Sequence, residues 1–200
     1  MLNRLNIILL YKLQKLSLNK LHCLIFILIL QVSCFGNKTT ADLQKVYGQQ
    51  MTLPEGGQWR VLNRDTTYIV GSDKPKILVY YNSQGCTSCR LKELAEWKGL
   101  IDEIKTLPAD TSNVEFLFVF ATGKDLQSLT ISLQQYGLKH PVLCDVEKSF
   151  EAQNLLPDKE IFHYFLLDRN NKACLVGSPL HNPTMWQLYK RRIAEMNSGS

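Results

Sequence analysis

The chain has no acidic residue before Asp42. It also has no apolar run near the roughly 20 residues that a bilayer-spanning helix needs. Glycine and proline are sparse, 11 and 7 in 200 residues, which excludes a collagen-like or low-complexity chain. The six cysteines are too few and too unevenly spaced for a disulfide scaffold, so each is read by itself. Charge imbalance is nearly absent outside the start. The 23 basic and 18 acidic residues give +5, and Arg4, Lys12, Lys15 and Lys20 supply four of that excess. A remainder of +1 gives no case for a nucleic-acid-binding face. What is left, 45% hydrophobic and 20% charged, suits one globular domain with a proper core.

The first segment reads as an address. A basic stretch leads into the apolar run Leu21–Leu30 (LHCLIFILIL), followed by Gln31-Val32-Ser33-Cys34. A positive start, a short apolar stretch and a small residue at the cut site make a secretory signal over residues 1–33. Ser33 before Cys34 resembles a bacterial lipoprotein signal, which implies that Cys34 becomes a lipidated first residue. Gln31 sits where that pattern prefers Leu. The expected layout is signal 1–33, tether 34–50 and a folded domain 51–200, facing the periplasm of a bacterial envelope and held to the membrane by lipid. Cys23 lies in the leader and would be lost on cleavage.

The body alternates strand and helix. Lys76–Asn82 (KILVYYN) and Asn113–Ala121 (NVEFLFVFA) are continuous apolar runs, as in strands buried on both faces of a parallel sheet. Between them Leu91, Leu94, Trp97, Ile101 and Ile104 recur at steps of 3, 3, 4 and 3, one face of a helix from Thr87 to Leu107, which Pro108 ends. Lys124–Tyr136 is a second helix, with Gly137 as its stop. Pro141–Val146 reads as extended, with a helical turn near Phe150. Phe162–Asp168 and Lys172–Gly177 form a hairpin about Arg169-Asn170-Asn171. Asn182-Pro183 opens a last helix whose inner face carries Trp186, Tyr189 and Ile193. Earlier strands are expected at Trp59–Leu62 and Thr67–Val70. This order implies an α/β fold, a mixed sheet with helices on both faces.

The chemistry sits at Cys86-Thr87-Ser88-Cys89. The pair follows the first buried strand and opens the first long helix. There, unpaired backbone N–H groups and the macrodipole favour an anion, so the first thiol ionises more readily than a free one. One helical turn brings the second sulfur into bonding range. Cys86 is then the nucleophile, and Cys89 the resolving thiol that releases a captured partner. The bland alternative is an inert or structural pair.

Buried strand, Gly85-Cys86-x-x-Cys89, long helix and terminal hairpin together resemble the thioredoxin-like superfamily, above all its periplasmic, membrane-tethered thiol–disulfide oxidoreductases. The resemblance spans about Met51 to Met196 and rests on KILVYYNSQGC and FLLDRNNK. It implies a thioredoxin-like fold, a redox disulfide between Cys86 and Cys89, and site surroundings of Gly85, Thr87, Ser88, Phe162 and His163. It implies no organic cofactor. Partners would be protein thiols and disulfides, with a periplasmic or membrane thiol donor and no nucleic acid.

Three positions depart from that pattern. Gly85 stands where the family often has Trp. The buried acid that some thioredoxins carry six residues before the nucleophile falls on Tyr80, which is no proton acceptor at neutral pH. The family's cis-proline falls on Phe162, so a trans peptide and a differently shaped groove are expected there. The runner-up function follows from that missing proline: a redox-silent, thioredoxin-fold accessory lipoprotein that holds a partner or metal. A zinc ribbon would need a second close cysteine pair, but Cys144 and Cys174 lie 30 residues apart. Copper delivery would need histidine, and no motif places His140, His163 or His181. No metal site is therefore assigned. Cys144 and Cys174, in apolar strands, read as core packing, with a disulfide between them left open. A thiol peroxidase would need a proline- and threonine-containing cysteine motif, which is absent.

Overall fold

The structure is a computed structural model that describes residues 40–54, 57–82, 87–123 and 126–199, with backbone alone over 87–91. Cys34, Gly85 and Cys86 lie outside the described residues. The chain divides into two units, Met1–Asp42 and Leu43–Ser200, and the architecture below is that of the second.

The two continuous apolar runs are the centre of the fold. They form strands β3 (Lys76–Tyr81) and β4 (Glu115–Phe120), paired in parallel from Lys76↔Glu115 to Tyr81↔Phe120. All six residues of β3 are buried, and five of the six in β4. Side chains alternate across a strand. Ile77, Val79, Tyr81, Phe116, Phe118 and Phe120 therefore face one core, and Leu78, Tyr80, Leu117 and Val119 face another.

The remaining strands are β1 (Gln58–Val61), β2 (Arg64–Thr66), β5 (Val142–Cys144), β6 (Tyr164–Leu167) and β7 (Ala173–Val176). The sheet order is β2-β1-β5-β4-β3-β6-β7. The β3–β4 and β4–β5 pairs are parallel; β3–β6, β6–β7, β1–β5 and β1–β2 are antiparallel. Helices are α1 (residues 40–46), α2 (Thr87–Lys105), α3 (Ala109–Ser112), α4 (Leu126–Tyr136), α5 (Ser149–Gln153) and α6 (Pro183–Ser198). The first core is closed by α2 with Leu94, Trp97 and Ile101, by α4 with Leu129 and Leu133, and by α6 with Trp186, Tyr189 and Ile193. The second is closed by Val46 of α1 and Phe150 of α5. The mixed sheet with helices on both faces is the architecture that the alternation implied.

Local rules hold at several boundaries. Gly137 ends α4 at φ +64°, and Asn171 takes φ +61° in the β6–β7 turn. The Asn182 side chain accepts from the Met185 N–H at 3.0 Å and Pro183 opens α6. Residues 48–51, at the expected border of tether and domain, run along β7: the Gly48 N–H donates to the Ala173 carbonyl and the Ala173 N–H to the Gln49 carbonyl, both at 2.8 Å.

Two strand expectations need correction. Residues 67–70 are irregular, and the edge strand is Arg64–Thr66 instead. Tyr68 is drawn off the edge because its hydroxyl donates to Glu115 at 2.6 Å while its ring packs 4.7 Å from Trp59. Phe162 does not open β6. It closes a 3-10 turn, Glu160–Phe162, in which the His163 N–H donates to the Glu160 carbonyl at 2.9 Å, and the strand begins at Tyr164.

Topology also settles the question left open at Cys144 and Cys174. Both are free thiols, on β5 and β7, with β4, β3 and β6 between them. Four strand spacings of about 4.8 Å put those strands about 19 Å apart, against a Cα separation of under about 7 Å for a disulfide. Cys144 is buried, and burial pushes its thiol up to about 11. Cys174 is not core: it is half-buried on the edge strand.

Helix α5 is a single short element held by one buried carboxylate. Asp145 accepts from the Ser149 N–H and hydroxyl, both at 2.9 Å, and from the Phe150 N–H at 2.8 Å. Replacing it leaves the first amides of α5 without that acceptor. Asp145→Ala is expected to lower stability by about 1–2 kcal/mol, read as a lower urea midpoint at unchanged slope; an unchanged midpoint would show that the cap contributes nothing.

Candidate active site

Strand β3 delivers the chain to the site. It is buried along its whole length, so its carboxyl end, Tyr80-Tyr81, is fixed in place. Helix α2 is described from Thr87, the residue after Cys86 in sequence. Cys89 belongs to the first turn of that helix. A helix leaves its first backbone N–H groups without intrahelical partners, and its dipole adds partial positive charge there. No acidic side chain stands in the first turn of α2 to compete for them. Of Thr87, Ser88 and Cys89 only the backbone is described.

The walls beside this junction are tyrosines and a glutamate. Tyr81, the last residue of β3, and Tyr164, the first of β6, both donate to Oε2 of Glu93 on α2, at 3.1 and 2.8 Å. Burial, reinforced by the nearby Glu93 carboxylate, pushes the Tyr81 phenol well above its ordinary value, so it stays a donor at neutral pH. Tyr80 points to the opposite face. Its hydroxyl donates to Glu151 of α5 at 2.7 Å and its ring packs against Phe150 at 4.9 Å. A hollow of about 30 Å³ is lined by Tyr80, Tyr81, Asn82, Glu93, Glu160 and Tyr164.

His163 and Phe162 lie beside the same strand end. The Tyr80 N–H donates to the His163 carbonyl at 2.9 Å, extending the β3–β6 ladder by one bond. The buried His163 ring sits 5.5 Å from the Tyr80 ring, with Nε2 at 2.8 Å from the Pro157 carbonyl. Since a carbonyl only accepts, Nε2 carries the proton. The ring thus pins the loop 157–163 that approaches the site. Phe162 is half-buried, and no cis peptide occurs among the described residues.

The other histidines are elsewhere. His140 Nε2 lies 2.7 Å from the Phe116 carbonyl, toward the amino end of β4, and burial lowers its basicity. His181, exposed ahead of α6, pairs with Glu96 at 2.8 Å. Among the described residues no three His, Cys, Asp or Glu side chains gather as a metal site.

Glu93 is the site residue that sequence reasoning missed. In sequence it is one acid among several on a surface helix. The available signal was its place four residues after Cys89, bordering the apolar stripe that carries Leu94 and Trp97.

No family model matches the chain, and no curated protein sequence matches it. Solved structures do. A candidate protein disulfide isomerase from Bacteroides thetaiotaomicron aligns with TM-score 0.51 at 18% identity, over 76% of this chain and 90% of its own. A thioredoxin-like protein in its oxidised form aligns with TM-score 0.46 at 16% identity, over 76% of this chain and 97% of its own. The seven-stranded mixed sheet, its flanking helices and the likeness to the Bacteroides thetaiotaomicron structure establish that the chain has the thioredoxin-like fold.

Proposed function

We propose that this protein is a thiol–disulfide oxidoreductase that exchanges disulfides with protein partners through Cys86 and Cys89. What supports the reading is the frame around the pair: β3, buried on both faces, ends at Tyr81, α2 is described from Thr87, and in sequence Cys86 lies between them with Cys89 inside α2. That is where a thiolate is stabilised by unpaired amides and where a second thiol one turn on can resolve a mixed disulfide. Cys86 attacks a disulfide of the partner, and its sulfur bonds to one partner sulfur while the other leaves. Cys89 then attacks the Cys86 sulfur, forming the internal disulfide and releasing the partner reduced by two electrons. A thiol donor restores the dithiol. The neighbour from Bacteroides thetaiotaomicron is described as a candidate protein disulfide isomerase, which is compatible with this chemistry.

The accessory reading, with a static pair, is favoured only by Phe162 at the place where the family has proline. The two readings separate in one assay. The purified full chain in detergent should reduce insulin disulfides with dithiothreitol as donor, and Cys86→Ser should fall to the uncatalysed rate. Equal rates for the two proteins would leave only the accessory role.

We place the protein at the bacterial envelope, held by lipid on Cys34 after removal of residues 1–33. Support comes from the acid-free basic start, the ten-residue apolar run and Ser33-Cys34. Cells fed a radioactive fatty acid should label the wild type and not Cys34→Ala; label that survives the substitution would refute lipidation at this cysteine.

A further inference from the structure

The amino end of β3 and β4 is concave as well. Two hollows open there, of about 570 and 310 Å³, and they share Ile101, Lys105 and His140 as walls, so they adjoin as one trough. Helix α2 begins beside the candidate active site and ends at the trough. Its 19 residues, at about 1.5 Å each, separate the two by about 28 Å. We propose that this trough binds a small organic anion with an apolar body, the body resting on Ile104 and Phe116 and the charge against Lys105. The site uses neither cysteine of the pair and does not depend on the oxidoreductase reading.

Three observations carry it. The first is a preformed apolar floor. Ile101, Ile104 and Phe116 line the larger hollow, yet they are only 5, 2 and 4% exposed and belong to the first core. Core packing therefore holds the floor in shape before any ligand arrives. Ile69, on the wall, is 86% exposed, and a ligand lying against it would take that side chain out of water. The second is size. Pockets for small organic ligands measure about 300–1,000 Å³ and combine apolar lining with a few polar groups, and the larger hollow falls in that range. His140 is a fixed wall of both hollows, because its Nε2 donates to the Phe116 carbonyl at 2.7 Å.

The third is charge. Lys74 and Lys105 line the larger hollow, and Lys98, Lys105 and Lys139 the smaller. Three acids share these walls, Asp73, Asp102 and Glu115. Glu115, the acid next to Phe116, has both oxygens engaged: Oε1 accepts from the Tyr68 hydroxyl at 2.6 Å and Oε2 from the Gly71 N–H at 3.0 Å. Asp102 lies 3.7 Å from Lys105, and both side chains are exposed. Such a contact is weak, so an anion seated on the apolar floor can displace it. The walls thus keep an excess of ammonium groups, with Lys105 common to both hollows.

The test uses 4-benzoylbenzoate, a photoreactive diaryl ketone with one carboxylate, and its neutral counterpart 4-benzoylbenzamide. The full chain in detergent is irradiated with each over a series of concentrations, digested, and the labelled peptides are quantified by mass. The carboxylate should label the peptides carrying Ile104 and Phe116, and that label should saturate. At equal concentration the amide should give clearly less. In Lys105→Glu the attraction of an exposed pair becomes a repulsion of similar size, so label from the carboxylate should fall by about tenfold. Lys105→Arg keeps the charge and should keep the label. Lys105 is exposed at the last position of α2, so its replacement leaves the packed core untouched. Lys74→Glu reverses a charge on the facing wall and should lower the label as well. Label spread along the chain without saturation, equal label from acid and amide, or wild-type label in both charge reversals overturns the proposal.

Discussion

The parallel pairing of β3 with β4 is the constraint on which the rest depends. Six consecutive registers, Lys76↔Glu115 to Tyr81↔Phe120, lock two strands whose side chains are almost wholly buried on both faces. A one-residue slip would exchange the two cores, placing Tyr81 where Tyr80 belongs. With the register fixed, Tyr81 is delivered under α2 and Tyr80 under α5. The same strand accepts β6 on its other edge, which brings Tyr164 and the His163 carbonyl to its carboxyl end. The carboxyl end of β3 is thus positioned by hydrophobic burial along the whole strand.

Onto that frame the polar contacts add direction rather than bulk stability. The Glu93 carboxylate ties α2 to β3 and β6; the Glu151 carboxylate ties α5 to β3 through Tyr80. Farther along α2, Glu103 accepts from the Trp186 indole N–H at 3.0 Å and pairs with Lys190 at 2.7 Å, joining α2 to α6. The Lys190 contact is largely responsible for holding the Glu103 carboxyl below its usual range. The long helix that begins at the site is therefore fastened near both ends, while its middle is packed by Trp97 and Ile101.

Much of the fold was legible because its elements announce themselves by burial. KILVYY and EFLFVF are unbroken apolar runs, and the 3, 3, 4, 3 spacing of α2 admits one periodicity. Asn182-Pro183 and Gly137 are start and stop signals with a direct physical cause. The parts that were not legible are the ones set by single tertiary contacts. Residues 67–70 look like a strand until Tyr68 is drawn to Glu115. Phe162 looks like a strand opening until the carbonyls of Lys159 and Glu160 capture the amides of Phe162 and His163 in a 3-10 turn. Of the site, the sequence offers the cysteine pair, and α2 is described from Thr87, with Cys86 outside the described residues. The anchoring of Glu93 is not legible there, because it is made by two hydroxyls 12 and 71 residues away, a distance that no local pattern encodes.

The central claim is electrostatic: the start of α2 favours the anionic form of the thiol at position 86. Thiolate absorbance at 240 nm, followed against pH, measures it most directly, taken as the difference between Cys89→Ser and the Cys86→Ser/Cys89→Ser protein. The account predicts a Cys86 midpoint clearly below the value of about 8.5 for a free cysteine. A midpoint at or above that value would contradict it.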